Sequence, residues 1–247
     1  MTKYVLFDTE TTGNKEEDRV IQIGAMVIDA KGNVEVYDEL CSSSVPIKVE
    51  AMEIHNITPD VIEGKGVFSA TKFYTDLAEL NSDKNYLIAH NIQFDLGMLE
   101  KEGFVNRMRL IDTLRCSKHL FPNSDFHRLQ YFRYSLDLYK DEKKEANKYN
   151  IVIKAHDAIG DVLVMKLLLS KLVAKVKERY VGENPMLKLE TLTRTPVKMK
   201  NFKFGKYKGE EINDIARSDA GYIRWMLKSL ELDEDMKYTL ERVLENV

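Results

Sequence analysis

The spacing of apolar residues changes character along the chain. Tyr4 to Thr9, Val20 to Asp29 and Val34 to Cys41 are short strand-like runs, and Lys31-Gly32-Asn33 supplies a turn between the last two, so the three read as a meander. A loop-rich stretch follows Pro46. From Ser69 to Leu80 the period becomes helical, with Phe73, Leu77 and Leu80 on one face. Tyr86 to Ala89 reads as a short buried strand. Asn91 to Lys101 reads as a helix with Phe94, Met98 and Leu99 together and Gly103 as its stop. Arg109 to Thr113 is a further strand-like run, followed by helical segments through Leu138. Lys140 to Asn150 is highly charged and reads as a solvated loop or helix face. A long amphipathic helix from Ala158 to Val176 follows, and Val181-Gly182-Glu183-Asn184-Pro185 breaks the pattern.

A meander followed by strands alternating with helices predicts an α/β fold, a mixed sheet flanked by helices. The expected layout is a main domain over 1–180, a linker over 181–197 and a small α+β module over 198–247. In that module FKFGKYKGEEI reads as a hairpin around Lys208-Gly209. Two short helices follow, the first with Tyr222 and Trp225, the second starting near Asp233. A core this small needs its aromatic residues, so most of Phe204, Tyr207, Tyr222 and Trp225 are expected inside.

The 247 residues carry a net charge of -3, so bulk charge does not announce a nucleic-acid binder and a local basic patch would have to serve. Cys41 and Cys116 form no CxxC pattern, which predicts a reducing, cytoplasmic compartment rather than a disulfide framework. The first residues do not read as a signal peptide. Asp161, Lys166 and Lys171 make the most apolar helix too polar to cross a bilayer, and no membrane partner is expected.

Acidic residues stand out at the ends of these elements. Asp8 and Glu10 are two apart on a strand and point to the same side. Asp95 lies in the first turn of a helix that Asn91 is placed to cap. Asp161 lies one turn inside the long helix. His156 is five residues before it, so the two share no face of a regular helix and His156 must reach in from the preceding loop. Asp157 is a rival for the role of Asp161, or a plain N-cap. Acids from a strand end and two helix starts, with one histidine, suit hard divalent ions, which take oxygen ligands. Two such ions about 4 Å apart activate water and stabilise a leaving oxygen in phosphodiester hydrolysis.

DTETTG at 8–13, HN-x-x-FD at 90–95 and H-x-A-x-x-D at 156–161 resemble, in that order, the three motifs of the DEDDh (DnaQ-like) 3′→5′ exonuclease family, which includes polymerase proofreading subunits. The resemblance implies an RNase H-like fold, two ions (Mg²⁺ or Mn²⁺) on Asp8, Glu10, Asp95 and Asp161, and His156 as general base. It further implies Thr9, Thr12, His55, Asn91 and Phe94 as substrate-binding residues, His55 through AMEIHNIT, and Asp112 of Ile111-Asp112-Thr113 as supportive. FGKYKG and GYIRW in the tail resemble the C-terminal module of an exodeoxyribonuclease branch of the family, linked to DNA repair. The implied partner is a DNA 3′ end, single- or double-stranded. RNA as substrate is one alternative, and docking of the tail onto a polymerase is another. From Lys188 to Lys208 seven basic residues face one acid, Glu190, and Lys200, Lys203, Lys206 and Lys208 are the expected nucleic-acid contacts.

Overall fold

The structure is a computed structural model that describes residues 1–153 and 156–245. Five strands form one sheet: β1 (Lys3–Thr11), β2 (Val20–Asp29), β3 (Val34–Leu40), β4 (Tyr86–Ala89) and β5 (Arg109–Asp112), in the order β3-β2-β1-β4-β5. The first three are antiparallel, with Asp8 opposite Gly24 and Glu10 opposite Gln22. β4 and β5 add in parallel beside β1. The sheet is mixed, as the RNase H-like expectation requires.

Two compact units divide the chain, Met1–Thr193 and Arg194–Val247. In the first, helices α1 (Val49–His55), α2 (Pro59–Ile62), α3 (Lys72–Leu80) and α4 (Ile92–Lys101) precede β5. After it come α5 (Thr113–Leu120), α6 (Leu129–Ser135), α7 (Tyr139–Tyr149), α8 (Ala158–Arg179) and α9 (Pro185–Arg194). Alternation along β1 sorts the helices. Val5 and Phe7 pack with Phe73 and Leu77 of α3 and with Ile92 and Leu99 of α4. Leu6 faces the other way, into a core with Cys116, Phe132, Ile159, Leu163 and Leu189 from α5, α6, α8 and α9. Asp8 and Glu10 share the Leu6 face by strand period and so lie on the α8 side.

Gly24 decides how closely α8 approaches. A Cβ there would lie 2.3 Å from both Ala158 C and Ile159 N, so only glycine lets the helix start rest on β2. Because Gly24 is opposite Asp8, that contact brings the first turn of α8 to the acidic end of β1.

Three expectations change. Residues 181–197 are not a linker: they contain the whole of α9, whose Leu189 and Leu192 are buried in the main core. Lys140–Asn150 is helical and not simply solvated, because Glu142 and Ala146 point inward. The tail hairpin reduces to one antiparallel bridge, Asn201–Glu211, with Phe202 N–H donating to Glu210 O. Gly205 and Gly209, at φ 81° and 92°, fold the intervening residues into turns instead of extending a ladder.

The second unit has α10 (Ile212–Ser218), α11 (Ala220–Ser229) and α12 (Glu234–Leu244), one helix more than expected. Asp219 and Asp233 cap the last two by accepting from Tyr222 and Met236 amides. Its core is Phe202, Ile212, Ile215, Ile223, Met226, Met236 and Leu240, with Tyr207 and Tyr222 half-buried against it. Phe204 and Trp225, expected inside, are exposed. Aliphatic residues and methionines from three helices close this core, so those two rings are not needed. Cys41 and Cys116 are free and buried. Among the described residues no helix is long and apolar enough to cross a membrane.

Candidate active site

β1 ends on Asp8, Thr9 and Glu10, and the neighbouring elements are tied to it by hydrogen bonds. Thr9 donates its amide (3.2 Å) and hydroxyl (2.8 Å) to Oδ1 of Asp95, which is buried in the first turn of α4. Asn91, entering α4 at φ 76°, makes no side-chain cap; its own amide donates to Oδ1 of Asp112 (3.1 Å). The same Asp112 oxygen caps α5 through the Leu114 and Arg115 amides. Asp112 therefore fixes the turn that delivers Asp95, in keeping with a supporting role. Asn91, outside the helical register, presents an exposed side chain.

From the other side come Asp161 and His156. Asp161 sits in the first turn of α8 and accepts 2.5 Å from Nε2 of Gln130. His156 is exposed, at φ 51°, in the turn before the helix, which is how it lies beside Asp161 despite the unhelical spacing. Asp157 occupies the N-cap position without capping, and its carboxylate instead accepts from Gln22 Nε2 at 2.9 Å. That glutamine stands opposite Glu10 on β2.

The carboxylates are close enough to oppose one another's ionisation. Burial, then the charges of Asp95, Asp161 and Glu10, hold Asp8 well above the usual carboxylate range. Glu10 is pushed up to about 8 by burial and by Asp161, Asp95 and Asp157. Burial raises Asp95 against the lowering effect of the Thr9 hydrogen bonds. Asp161 is raised to about 6 by burial, with His156 and Arg133 pulling it down. Asp8 retains some accessible surface although neighbouring atoms crowd it closely. Among the described residues none of these four acids makes an ion pair.

An all-oxygen, uncompensated acidic set fits divalent cations. As posed, though, no three metal-ligating side chains among the described residues converge on one ion position. The fit lies in donor chemistry and proximity, not in a finished cage.

A cavity of about 470 Å³ opens beside Glu10. Thr9, His55, Phe94, Lys15, Lys48 and Ile54 are among its walls. His55 is buried at the end of α1; its Nδ1 accepts from Ile57 N–H (3.0 Å), so Nε2 carries the proton and donates to Thr11 O (3.2 Å). Burial lowers its pKa, and it remains a neutral wall that fastens α1 to β1. Phe94 is 37% exposed and turns its ring to the cavity.

Thr12 is not part of this wall. It is fully buried, its hydroxyl donating to Asp18 Oδ1 (2.9 Å) and accepting from Arg19 N–H (3.1 Å). Asn91 is likewise absent from the cavity lining. Asp18, Lys48, Gln22 and Gln130 were missed in the sequence. None belongs to a motif, and each matters through partners remote in the chain.

Residues 5–169 match a family model described as exonuclease. The chain belongs to that family. Residues 202–231 of this exonuclease match a second model, described as exodeoxyribonuclease X-like C-terminal. Exodeoxyribonuclease 10 of Escherichia coli (strain K12) is 27% identical over 244 residues, 98% of this chain and 98% of that protein. Two solved structures share the fold. Exonuclease X in complex with 5′ overhanging duplex DNA gives a TM-score of 0.53 at 17% identity, covering 77% of this chain and 99% of that one. Escherichia coli exonuclease I in complex with a dA16 oligonucleotide gives 0.51 at 21% identity, covering 77% of this chain and 42% of that one. Exonucleases of this type use divalent metal ions.

Proposed function

We propose that this exonuclease hydrolyses DNA from its 3′ end, releasing nucleoside 5′-monophosphates. The observation that carries the reading is the meeting of Asp8, Glu10, Asp95 and Asp161, with no ion pair to any of them among the described residues, beside a cavity large enough for a nucleotide. Similarity to exodeoxyribonuclease 10 along nearly the whole chain supports DNA as substrate.

In this reading the terminal nucleoside enters the cavity, where the Phe94 ring gives it an apolar surface and Lys15 and Lys48 form part of the wall. The scissile phosphodiester then lies over the Asp8/Glu10 face. Mg²⁺ or Mn²⁺ held by Asp8, Glu10, Asp95 and Asp161 supplies water activation and stabilisation of the leaving oxygen when bound. His156, exposed at the edge of the cluster, takes the proton of the attacking water, a task suited to an imidazole near neutral pH. The new P–O bond forms as the bond to O3′ breaks, and O3′ leaves as a hydroxyl after taking a proton from solvent. Thr9 holds Asp95 in place throughout.

The second unit adds DNA contact. Lys200 pairs with Glu211 and Lys206 with Asp219, so the expected basic set narrows to Lys203 and Lys208, and Phe204 in the same segment is exposed. Cations interleaved with rings suit single-stranded nucleic acid. Two buried free thiols suit a reducing compartment, and we place the enzyme in the cytoplasm.

The test uses 5′-labelled DNA and RNA of one sequence with Mg²⁺, with chelator, and with Asp95→Ala. A DNA ladder shortening from the 3′ end, lost with chelator and with the substitution, is the expected result. Shortening of RNA alone would move the substrate class, and no shortening of either would overturn the reading.

A further inference from the structure

Asp161 is the end of a chain of polar side chains that starts on α7. Glu142 there is only 4% exposed. Its Oε1 and Oε2 accept from Nε and Nη2 of Arg133 on α6, each at 2.6 Å, a two-pronged ion pair. Arg133 Nη1 donates to Oε1 of Gln130 at 3.3 Å, and Gln130 Nε2 donates to Oδ1 of Asp161 at 2.5 Å.

The direction of this chain follows from what each group can do. A guanidinium only donates, so the Gln130 atom facing Arg133 is the carbonyl oxygen. The amide NH₂ is then left for Asp161. Freed from Arg133, a carboxamide can turn over, which would set its oxygen against a carboxylate. The fork between Arg133 and Glu142 fixes the guanidinium plane, because two parallel bonds define an orientation that one bond does not. Gln130 in turn occupies Oδ1 of Asp161, while Oδ2 accepts no hydrogen bond among the described residues.

We infer that Glu142, Arg133 and Gln130 are a positioning chain that holds Oδ1 of Asp161 and leaves Oδ2 as the oxygen offered to a divalent cation. The inference rests on the proposed assignment of Asp161 as a metal-holding acid. It also gives a purpose to Lys140–Asn150, which no motif of the family resemblance accounts for: the helix delivers one buried glutamate to the back of the site.

The experiment compares full-length wild type, Gln130→Leu and Arg133→Lys by calorimetric titration with Mn²⁺ and by kcat and KM on a 5′-labelled DNA strand. Gln130→Leu is expected to weaken Mn²⁺ binding and lower kcat by about 10- to 100-fold while KM stays within about twofold. Arg133→Lys keeps the positive charge but cannot span Glu142 and Gln130, so it is expected to move both quantities the same way. The double variant is expected to be no worse than Gln130→Leu alone, as for members of one network. Wild-type Mn²⁺ affinity in a folded Gln130→Leu protein overturns the inference. If that variant does not fold, wild-type Mn²⁺ affinity in Arg133→Lys overturns it instead. A wild type that binds Mn²⁺ but shortens neither DNA nor RNA would overturn the proposed function, and the Mn²⁺ comparison would still decide the chain.

Discussion

Thr9 and Asp95, 86 residues apart, meet so that one threonine gives both its amide and its hydroxyl to a single carboxylate oxygen. The amide is fixed by the strand, but the hydroxyl can be removed. Thr9→Val keeps the β-branched shape and deletes one charge-assisted bond, a loss of about 1.5–3 kcal/mol in comparable cases. Activity on DNA should fall at least tenfold while the melting temperature drops by only a few degrees. A Thr9→Val enzyme with wild-type kcat would show that Asp95 does not need this anchor.

The acidic cluster sets a pH dependence in metal-free protein. Glu10 titrates at about 8 in the fold and near 4.5 in an unfolded chain, so between those values the native state holds the extra proton. Stability of the metal-free protein therefore falls as pH rises through that window. With chelator the melting temperature should drop several degrees from pH 6 to 8, and Mn²⁺ should restore most of the loss at pH 8. A flat chelated profile would mean that burial and the neighbouring acids do not raise Glu10 in the fold.

Much of the candidate site is legible along the chain because its signals are local. The strand period puts Asp8 and Glu10 on one side, and the motif spacings mark Asp95, His156 and Asp161. What escapes a linear reading is made by partners far away in sequence. Gln130 has no distinguishing neighbour, and Glu142 hides in a charged stretch whose pattern advertises solvent. Asp18 looks like an ordinary loop residue until Thr12 and Lys48 both reach it. Gly24 sits in the middle of a strand, and only the approach of α8 explains it.

That glycine is testable by itself. Gly24→Ala would force a Cβ to 2.3 Å from the backbone of Ala158 and Ile159, where no flexible side chain can yield. Overpacking of this kind costs about 1–3 kcal/mol. Denaturant unfolding should report that loss, together with a fall in kcat larger than any change in KM, because the first turn of α8 carries Asp161. Wild-type stability in Gly24→Ala would mean that α8 can slide without cost.

The loop between β1 and β2 forms one lip of the cavity, and a single buried acid holds it. Asp18 accepts from the Thr12 hydroxyl (2.9 Å), the Lys15 amide (2.7 Å) and Lys48 Nζ (2.6 Å). Those donors hold its pKa below the usual range in spite of burial. Asp18→Ala leaves buried donors without an acceptor, a penalty of about 1–3 kcal/mol. KM for DNA should rise more than kcat falls, since the cavity loosens while the four acids keep their places. A fall in kcat alone would assign the loop to the chemical step instead.

The last expectation concerns the second unit, where charge and exposure separate four lysines into two pairs. Lys200 and Lys206 have acidic partners, and Lys206 also lies 4.5 Å from the centre of the Tyr207 ring, so both are engaged within the unit. Lys203 and Lys208 have no ion pair among the described residues. If these two neutralise phosphates, each releases condensed counterions, and binding to single-stranded DNA should lose about 0.7 from its log–log salt slope per lysine removed. The Lys203→Gln/Lys208→Gln double variant should therefore bind DNA more weakly at low salt and with a slope shallower by about 1.4. Lys200→Gln should leave the slope unchanged. Because all three positions are on the surface, melting temperatures should stay near wild type, which separates lost contact from lost folding. An unchanged slope in the double variant would remove DNA from the second unit and favour a protein partner there.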